Sequence, residues 1–317
     1  MNTRRNATLV GIALLLSLGA GAPASGSWPG DNGRIVSVEP RYDWENCPQE
    51  EGGHCDAPPP LGEMIVIRNR DGSDKTDLVK GFDPTWDAEG RKIAYVTSGY
   101  RIKKINADGT HMRLLTAPYA EPGEEEMIDA RPAWSPTGNR IAFQRTWEGT
   151  RRKIMILEID DTLEPVELTS GMLPEWSARG RIAYLHRVNG VRKIHTIRPD
   201  GEEHAIVPHT RGATDFAWSP DGMKLAFVTP GDDQGECMHV VRIDGSHKRT
   251  LACRFRGADG GNVAGLTWAP NGDGLLVGVQ NFYSEPVYSE GRLVRVLLDG
   301  TKRQLGAMGY MPDWQPR

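Results

Sequence analysis

Several kinds of protein are excluded by what this sequence lacks. It has no surplus of basic residues: 38 Lys and Arg stand against 42 Asp and Glu, a net charge of −4. Without a basic stripe to neutralise phosphates, the composition argues against a nucleic-acid partner. No apolar run approaches the roughly 20 residues that a membrane-crossing helix needs. No serine lies in a G-x-S-x-G surround, so the usual serine-hydrolase elbow is missing. H-E-x-x-H and a phosphate-cradling Gly loop are missing too. The eight His are scattered, and His111, His204 and His247 each follow a hairpin at an equivalent edge position, which marks them as surface. What the chain has in quantity is Gly (37) and Pro (22), a turn-rich composition that leans towards β structure.

The first residues read as an export signal. Arg4 and Arg5 form a positive n-region, Leu9 to Leu18 is apolar, and Ala22-Pro23-Ala24 has the A-x-A form of a cleavage site. The apolar stretch is too short for the roughly 30 Å hydrocarbon core, so no stable membrane span is expected once the signal is removed. Cleavage after Ala24 and a secreted or periplasmic location follow as expectations.

Cysteines are few, and their number is even. Cys47 and Cys55 form one close pair, Cys237 and Cys253 another, and outside the cytosol both are expected to be oxidised. Geometry supports the second pair. If Asp244-Gly245-Ser246 is a hairpin turn, 243 faces 247, and counting outwards sets Cys237 opposite Cys253. No His stands at ligand spacing beside either pair, which disfavours a metal site.

Internal repetition decides the fold class. PTWDAEGRKIAYV, PAWSPTGNRIAFQ, PEWSARGRIAYL, FAWSPDGMKLAFV and LTWAPNGDGLLVG align on Trp86, Trp134, Trp176, Trp218 and Trp268, which are 42 to 50 residues apart. A second landmark follows each: Asp108-Gly109, Asp160-Asp161, Asp200-Gly201, Asp244-Gly245 and Asp299-Gly300. Four antiparallel strands per repeat, with a tight turn and an Asp-Gly hairpin, are the signature of a β-propeller blade. A sixth Trp, Trp314, stops inside its turn, while Gly33 and the strand Arg34 to Val38 supply the rest of that blade. The expectation is an all-β, six-bladed β-propeller over residues 33–317, after a signal at 1–24 and a short lead at 25–32. The C-terminal strand closes the ring against the N-terminal blade.

Ser219 to Phe227 (SPDGMKLAF) and Ser135 to Phe143 (SPTGNRIAF) resemble the repeats of the TolB-like propeller family. The resemblance covers about residues 33–317. It implies a six-bladed propeller, most often periplasmic or extracellular and devoted to protein contacts. Only a few residues separate the expected cleavage site from the first strand, with no room for the extra N-terminal α/β domain of the periplasmic Tol protein.

Loop lengths point to one working face. The elaborated segments are 39–62, 117–130, 146–151, 230–236, 254–263 and 280–291. They carry acids such as Glu124 to Glu126, Asp232 and Asp233, together with rings such as Trp147 and Tyr283. Carboxylates mixed with rings suit a basic or amide-rich protein or peptide partner, a glycan or a bound cation. Calcium fits these acids by type, yet no ordered ligand spacing defines a site, so no cofactor is assigned. The six repeat Trp are assigned to packing between blades. Asp83, Asp129, Arg131, Asp215, Tyr310 and Asp313, at the starts of innermost strands, are the candidates for the channel mouth. The leading expectation is a protein-binding module, the alternative a small lyase or hydrolase acting on a glycan or cyclic ester.

Overall fold

The computed structural model describes residues 30–47, 58–116, 127–147, 151–159, 164–231, 235–255, 262–284 and 287–316. These residues form six four-stranded antiparallel sheets arranged as the blades of a propeller. Blades 1 to 5 begin with the innermost strands Phe82–Trp86, Met127–Trp134, Met172–Trp176, Asp215–Trp218 and Asn262–Trp268. Blade 6 joins the two ends of the chain. Its innermost strand, Tyr310–Pro316, pairs with Asn32–Tyr42, with Trp314 opposite Ile35 and Asp313 opposite Val36. Pro60–Arg68 and Thr76–Lys80 complete that blade.

The blades share a local chemistry. In blades 1 to 4 the side chain of the residue after the repeat Trp caps the turn that follows it. Asp87 accepts from Arg91 N and Lys92 N at 2.7 and 3.0 Å, and Ser135 Oγ accepts from Arg140 N at 2.9 Å. Ser177 and Ser219 do the same for Arg181 N and Lys224 N. At the outer hairpins an Asp carboxylate holds the N–H two residues on, as Asp108 holds Thr110 at 2.9 Å. Second strands such as Ile93–Val96 and Leu225–Val228 are buried throughout, because the flat sheet has a neighbouring blade on each side.

The core is therefore divided among six seams. Trp134 packs with Ala94 and Val96 of blade 1, Trp176 with Ala142 and Ile154 of blade 2, and Trp218 with Leu185 and Ile194 of blade 3. Trp268, Trp314 and Trp86 occupy the remaining three seams in the same way. Indole N–H groups tie the seams: Trp134, Trp218 and Trp268 each donate to a carbonyl of the preceding blade (Thr85, Glu175 and Ala217) at 3.2 Å. The repeat Trp are thus packing residues, as their periodicity indicates.

Cys237 and Cys253 are disulfide-bonded and face each other across blade 4. The register arises differently from the simple count. Arg242 N donates to Ser246 O, and a bulge between Met238 and His239 restores the Cys–Cys pairing. Cys47 is also disulfide-bonded, and Cys55 lies outside the described residues.

Two expectations need correction. Segment 280–291 is largely strand: Gln280 faces Gly291 and Tyr283 faces Tyr288 in one long hairpin. The His residues are not all scattered, since His186, His195 and His204 meet on blade 3. Cross-strand pairing brings together residues that are far apart in a linear scan.

Candidate functional site

The three residues before the repeat Trp line the ring's axis, except that Phe216 before Trp218 packs into the core instead. At the first of these positions stand Asp83, Arg131, Leu173, Asp215, Gly265 and Met311. Four are non-Gly residues with left-handed backbone: Asp83, Arg131, Leu173 and Met311, with φ of 49°, 55°, 52° and 48°. A proline follows each of these, and pairing to the second strand skips register across the same point. Proline has no N–H to contribute to a ladder, which suits it to the bulge, and blade 5 skips register at the same point around Gly265 without a proline. Asp215 is followed by Phe216 and keeps regular pairing with Val228.

The axial cavity holds four carboxylates and one guanidinium. Asp83, Glu175, Asp215 and Asp313 line it together with Arg131. Arg131 N–H donates to Asp83 Oδ2 at 3.1 Å, and its Nε lies 3.4 Å from Oδ1. Asp83 before all, then Asp215 and Glu175, hold the Arg131 guanidinium charged against the cost of its burial. Burial raises the Asp215 carboxyl to about 6 although Arg131 opposes the rise. Glu175 is pushed well above the usual carboxylate range, first by burial and then by Asp215. Asp313 is raised to about 6 by burial, against the N–H groups of Trp86 and Trp314 that hold its charged form. One cation stands among four acids, Asp83 and Asp313 buried and Glu175 and Asp215 half-buried, so the cavity carries an excess of carboxylates.

Sequence reasoning reached part of this set. Asp83, Arg131, Asp215 and Asp313 converge, whereas Glu175 was missed. Its signal was available, because it occupies the position before Trp176 that Asp313 occupies before Trp314. Asp129 and Tyr310 are not brought to the cavity. Asp129 is buried in a bidentate pair with Arg145 at 2.7 and 2.9 Å. Tyr310 is 2% exposed and donates its hydroxyl to Glu63. Trp147 packs partly against the seam between blades 1 and 2, with the Arg151 guanidinium 5.8 Å from its ring centroid. The Tyr283 side chain, residues 117–126 and Asp232 with Asp233 lie outside the described residues. Among the described residues no group of three or more His, Cys, Asp or Glu is arranged to hold a metal ion. No described helix is long and apolar enough to cross a membrane.

The six-bladed ring, closed through the chain ends around this axial cavity, has counterparts among solved structures. TolB from Acinetobacter baumannii superimposes with a TM-score of 0.65 at 18% identity, over 92% of this chain and 68% of that one. The chain is a TolB-like six-bladed propeller. Sequence similarity points the same way. A TolB homolog from Chlorobium luteolum is 31% identical over 159 residues, 48% of this chain and 35% of that protein. This chain thus spans about a third of the relative it matches, and no family model matches it. The TolB-like fold is shared with enzymes. An oligogalacturonate lyase from Vibrio parahaemolyticus aligns with a TM-score of 0.53 at 11% identity, covering 85% of this chain and 78% of that one.

Proposed function

We propose that this TolB-like propeller is an exported protein-binding module of the cell envelope or extracellular space, and that its partner seats a Lys or Arg side chain against the axial carboxylates. The observation that carries this reading is the charge imbalance of the cavity, where Arg131 stands alone among Asp83, Glu175, Asp215 and Asp313. An incoming cation supplies the missing countercharge and favours the ionised acids, whose desolvation is already part of the fold. Support for export comes from the signal-like N-terminus and the Cys237–Cys253 disulfide. The test is calorimetric titration with an Arg-containing peptide and its citrulline counterpart, using parent and the Glu175→Gln, Asp215→Asn double variant. Arg-dependent binding that weakens at least tenfold in the variant is expected. Equal binding of both peptides, or an unaffected variant, would overturn the reading.

A second reading rests on the raised carboxyls. Asp215 and Glu175 beside Arg131 are also a general acid–base pair for a small lyase or hydrolase. Turnover of an acidic glycan or a lactone that disappears with Asp215→Asn, in a folded protein, would favour this reading over the first.

A further inference from the structure

At the opposite end of the ring, where the short turns lie, blade 4 carries an arrangement that none of the other blades shares. In blades 1 to 5 the position six residues after the repeat Trp opens the second strand and faces a partner on the third, and in blade 6 the first pair of those two strands is Ile35 with Arg68. In blade 2 that pair is Arg140 with Glu158, joined at 3.0 Å, and in blade 1 it is Lys92 with Asn106. Blade 3 has Ile182 with Ile197, and blade 5 has Gly274 with Leu297. Blade 4 sets Lys224 directly opposite Arg242. Like charges facing each other across an antiparallel pair are destabilising.

The surroundings add charge of the same sign. Arg249 faces Val240 on the fourth strand, which puts it on the same side of the sheet as Lys224 and Arg242. His247 comes from the adjoining hairpin, while the Lys248 ammonium lies 5.5 Å from the Phe227 ring centroid, on the other side of the sheet. Lys224, Arg242, Arg249 and His247 rim a groove of about 530 Å³, floored by Val240, Trp268 and Leu298, and no carboxylate among the described residues lines it. The nearest acids are already engaged. Asp244, 4.0 Å from Arg242 Nε, accepts from Ser246 N and Oγ at 2.8 and 2.6 Å. Asp221, beside Lys224, accepts from Ser219 Oγ and Met223 N.

We infer that this groove on blade 4 is a binding site for a phosphoryl group, with Lys224 and Arg242 as its central pair and Arg249 at its rim. Three cations and a His converging on one cavity suit a compact, multiply charged anion better than the spaced single charges of an acidic peptide. Guanidinium forks and ammonium donors both match phosphate oxygens. An occupying anion also relieves the Lys224–Arg242 repulsion, so binding and stability rise together.

The probe is inorganic pyrophosphate, titrated calorimetrically into the intact protein at constant ionic strength set with sodium chloride. Saturable 1:1 binding and a raised Tm are expected. Arg242→Glu reproduces the Arg140–Glu158 pattern of blade 2, so this variant should fold with an equal or higher Tm and bind pyrophosphate at least tenfold more weakly. Lys224→Gln, which keeps a polar side chain, should weaken binding without lowering Tm. No saturable binding to the parent, or affinity unchanged in Arg242→Glu, would overturn the inference. Vesicles containing phosphatidate separate the sources of the group. Capture of the parent that pyrophosphate displaces assigns the site to a lipid headgroup, and absence of capture beside pyrophosphate binding assigns it to a soluble phosphate. Capture undiminished in Arg242→Glu would count against the site altogether.

Discussion

The Asp313 carboxylate accepts a hydrogen bond from the main-chain N–H of Trp86 at 2.7 Å, across 227 positions of sequence. Its oxygens also accept from Thr85 and Thr267 hydroxyls at 3.1 Å and from Trp314 N at 2.9 Å. One side chain of blade 6 thereby ties blades 5 and 1 to each other beside the axial cavity. Glu175 repeats the device on a smaller scale by accepting from Trp218 N at 3.3 Å.

Replacing Asp313 with Asn should therefore loosen the closure of the ring. All four bonds need an acceptor, and an amide presents N–H to at least one donor. Leaving a buried donor unmet costs roughly 1–3 kcal/mol, so a loss of that size is expected in urea unfolding. Glu175→Gln, with fewer bonds at stake, should cost less.

Asp215→Asn should move stability the other way. The raised Asp215 carboxyl binds a proton in the folded state at pH values where the unfolded chain has lost it. Stability from this group is thus present at low pH and lost as pH rises from about 4 through about 6. A neutral amide removes the loss, and stabilisation of about 1–2 kcal/mol at pH 7 is expected. Urea titrations of parent and variant at pH 4 and pH 7 check this, with the difference confined to the higher pH.

The His cluster on blade 3 produces the opposite slope. His195 is 1% exposed, its Nδ1 lies 3.0 Å from His204 Nε2, and the His186 ring centroid is 5.3 Å away. Burial, then His204, His186 and Lys193, lower the His195 imidazole to about 4. The unfolded chain takes up a proton near pH 6.5 that the folded chain refuses until about 4. Stability is full above about 6.5 and is lost as pH falls through that window, on the order of 3 kcal/mol in all. His195→Gln should flatten this part of the pH–Tm curve, and an unchanged acid limb would remove His195 as its source.

Opening the Cys237–Cys253 disulfide should cost about 3 kcal/mol, the usual scale for a loop closed by a separation of 16 residues. Paired Ser variants test it by urea unfolding without reductant, which would also open the Cys47 disulfide.

Gly265→Ala tests the geometry of the axial cavity. Gly265 has φ of 97°, and a Cβ there would stand 2.7 Å from Met311 Cα, so blade 6 must shift to admit it. A loss of about 2 kcal/mol or more is expected from strained backbone and steric conflict together. The same shift should alter peptide binding at the cavity, measured in the same preparation.

Repetition carried the architecture within the sequence. Trp at intervals, a capped turn after it, and Asp-Gly hairpins are local rules, and six copies of a local rule specify blade number, strand order and even the sharing of the last blade between the chain ends. Trp314 and Gly33 mark complementary fragments of one blade in the sequence itself. The Cys237–Cys253 register was legible for the same reason, although the hairpin and the bulge offset each other on the way to it.

Chemistry followed a different rule. Asp83, Arg131 and Asp215 were legible as candidates because each begins an innermost strand, and Tyr310 and Asp129 passed the same filter. The offset from the repeat Trp separates them: Asp83, Arg131 and Asp215 stand three positions before it and line the axis, whereas Tyr310 stands four before and meets Glu63, and Asp129 stands five before and meets Arg145. Glu175, the like-charged pair Lys224 and Arg242, and the His186–His195–His204 contact all arise between strands or blades. The sequence determined which residues recur at which position of a blade. The tertiary structure decided which charges share a low-dielectric space, because Coulomb energy and desolvation depend on distance in space and not on distance along the chain.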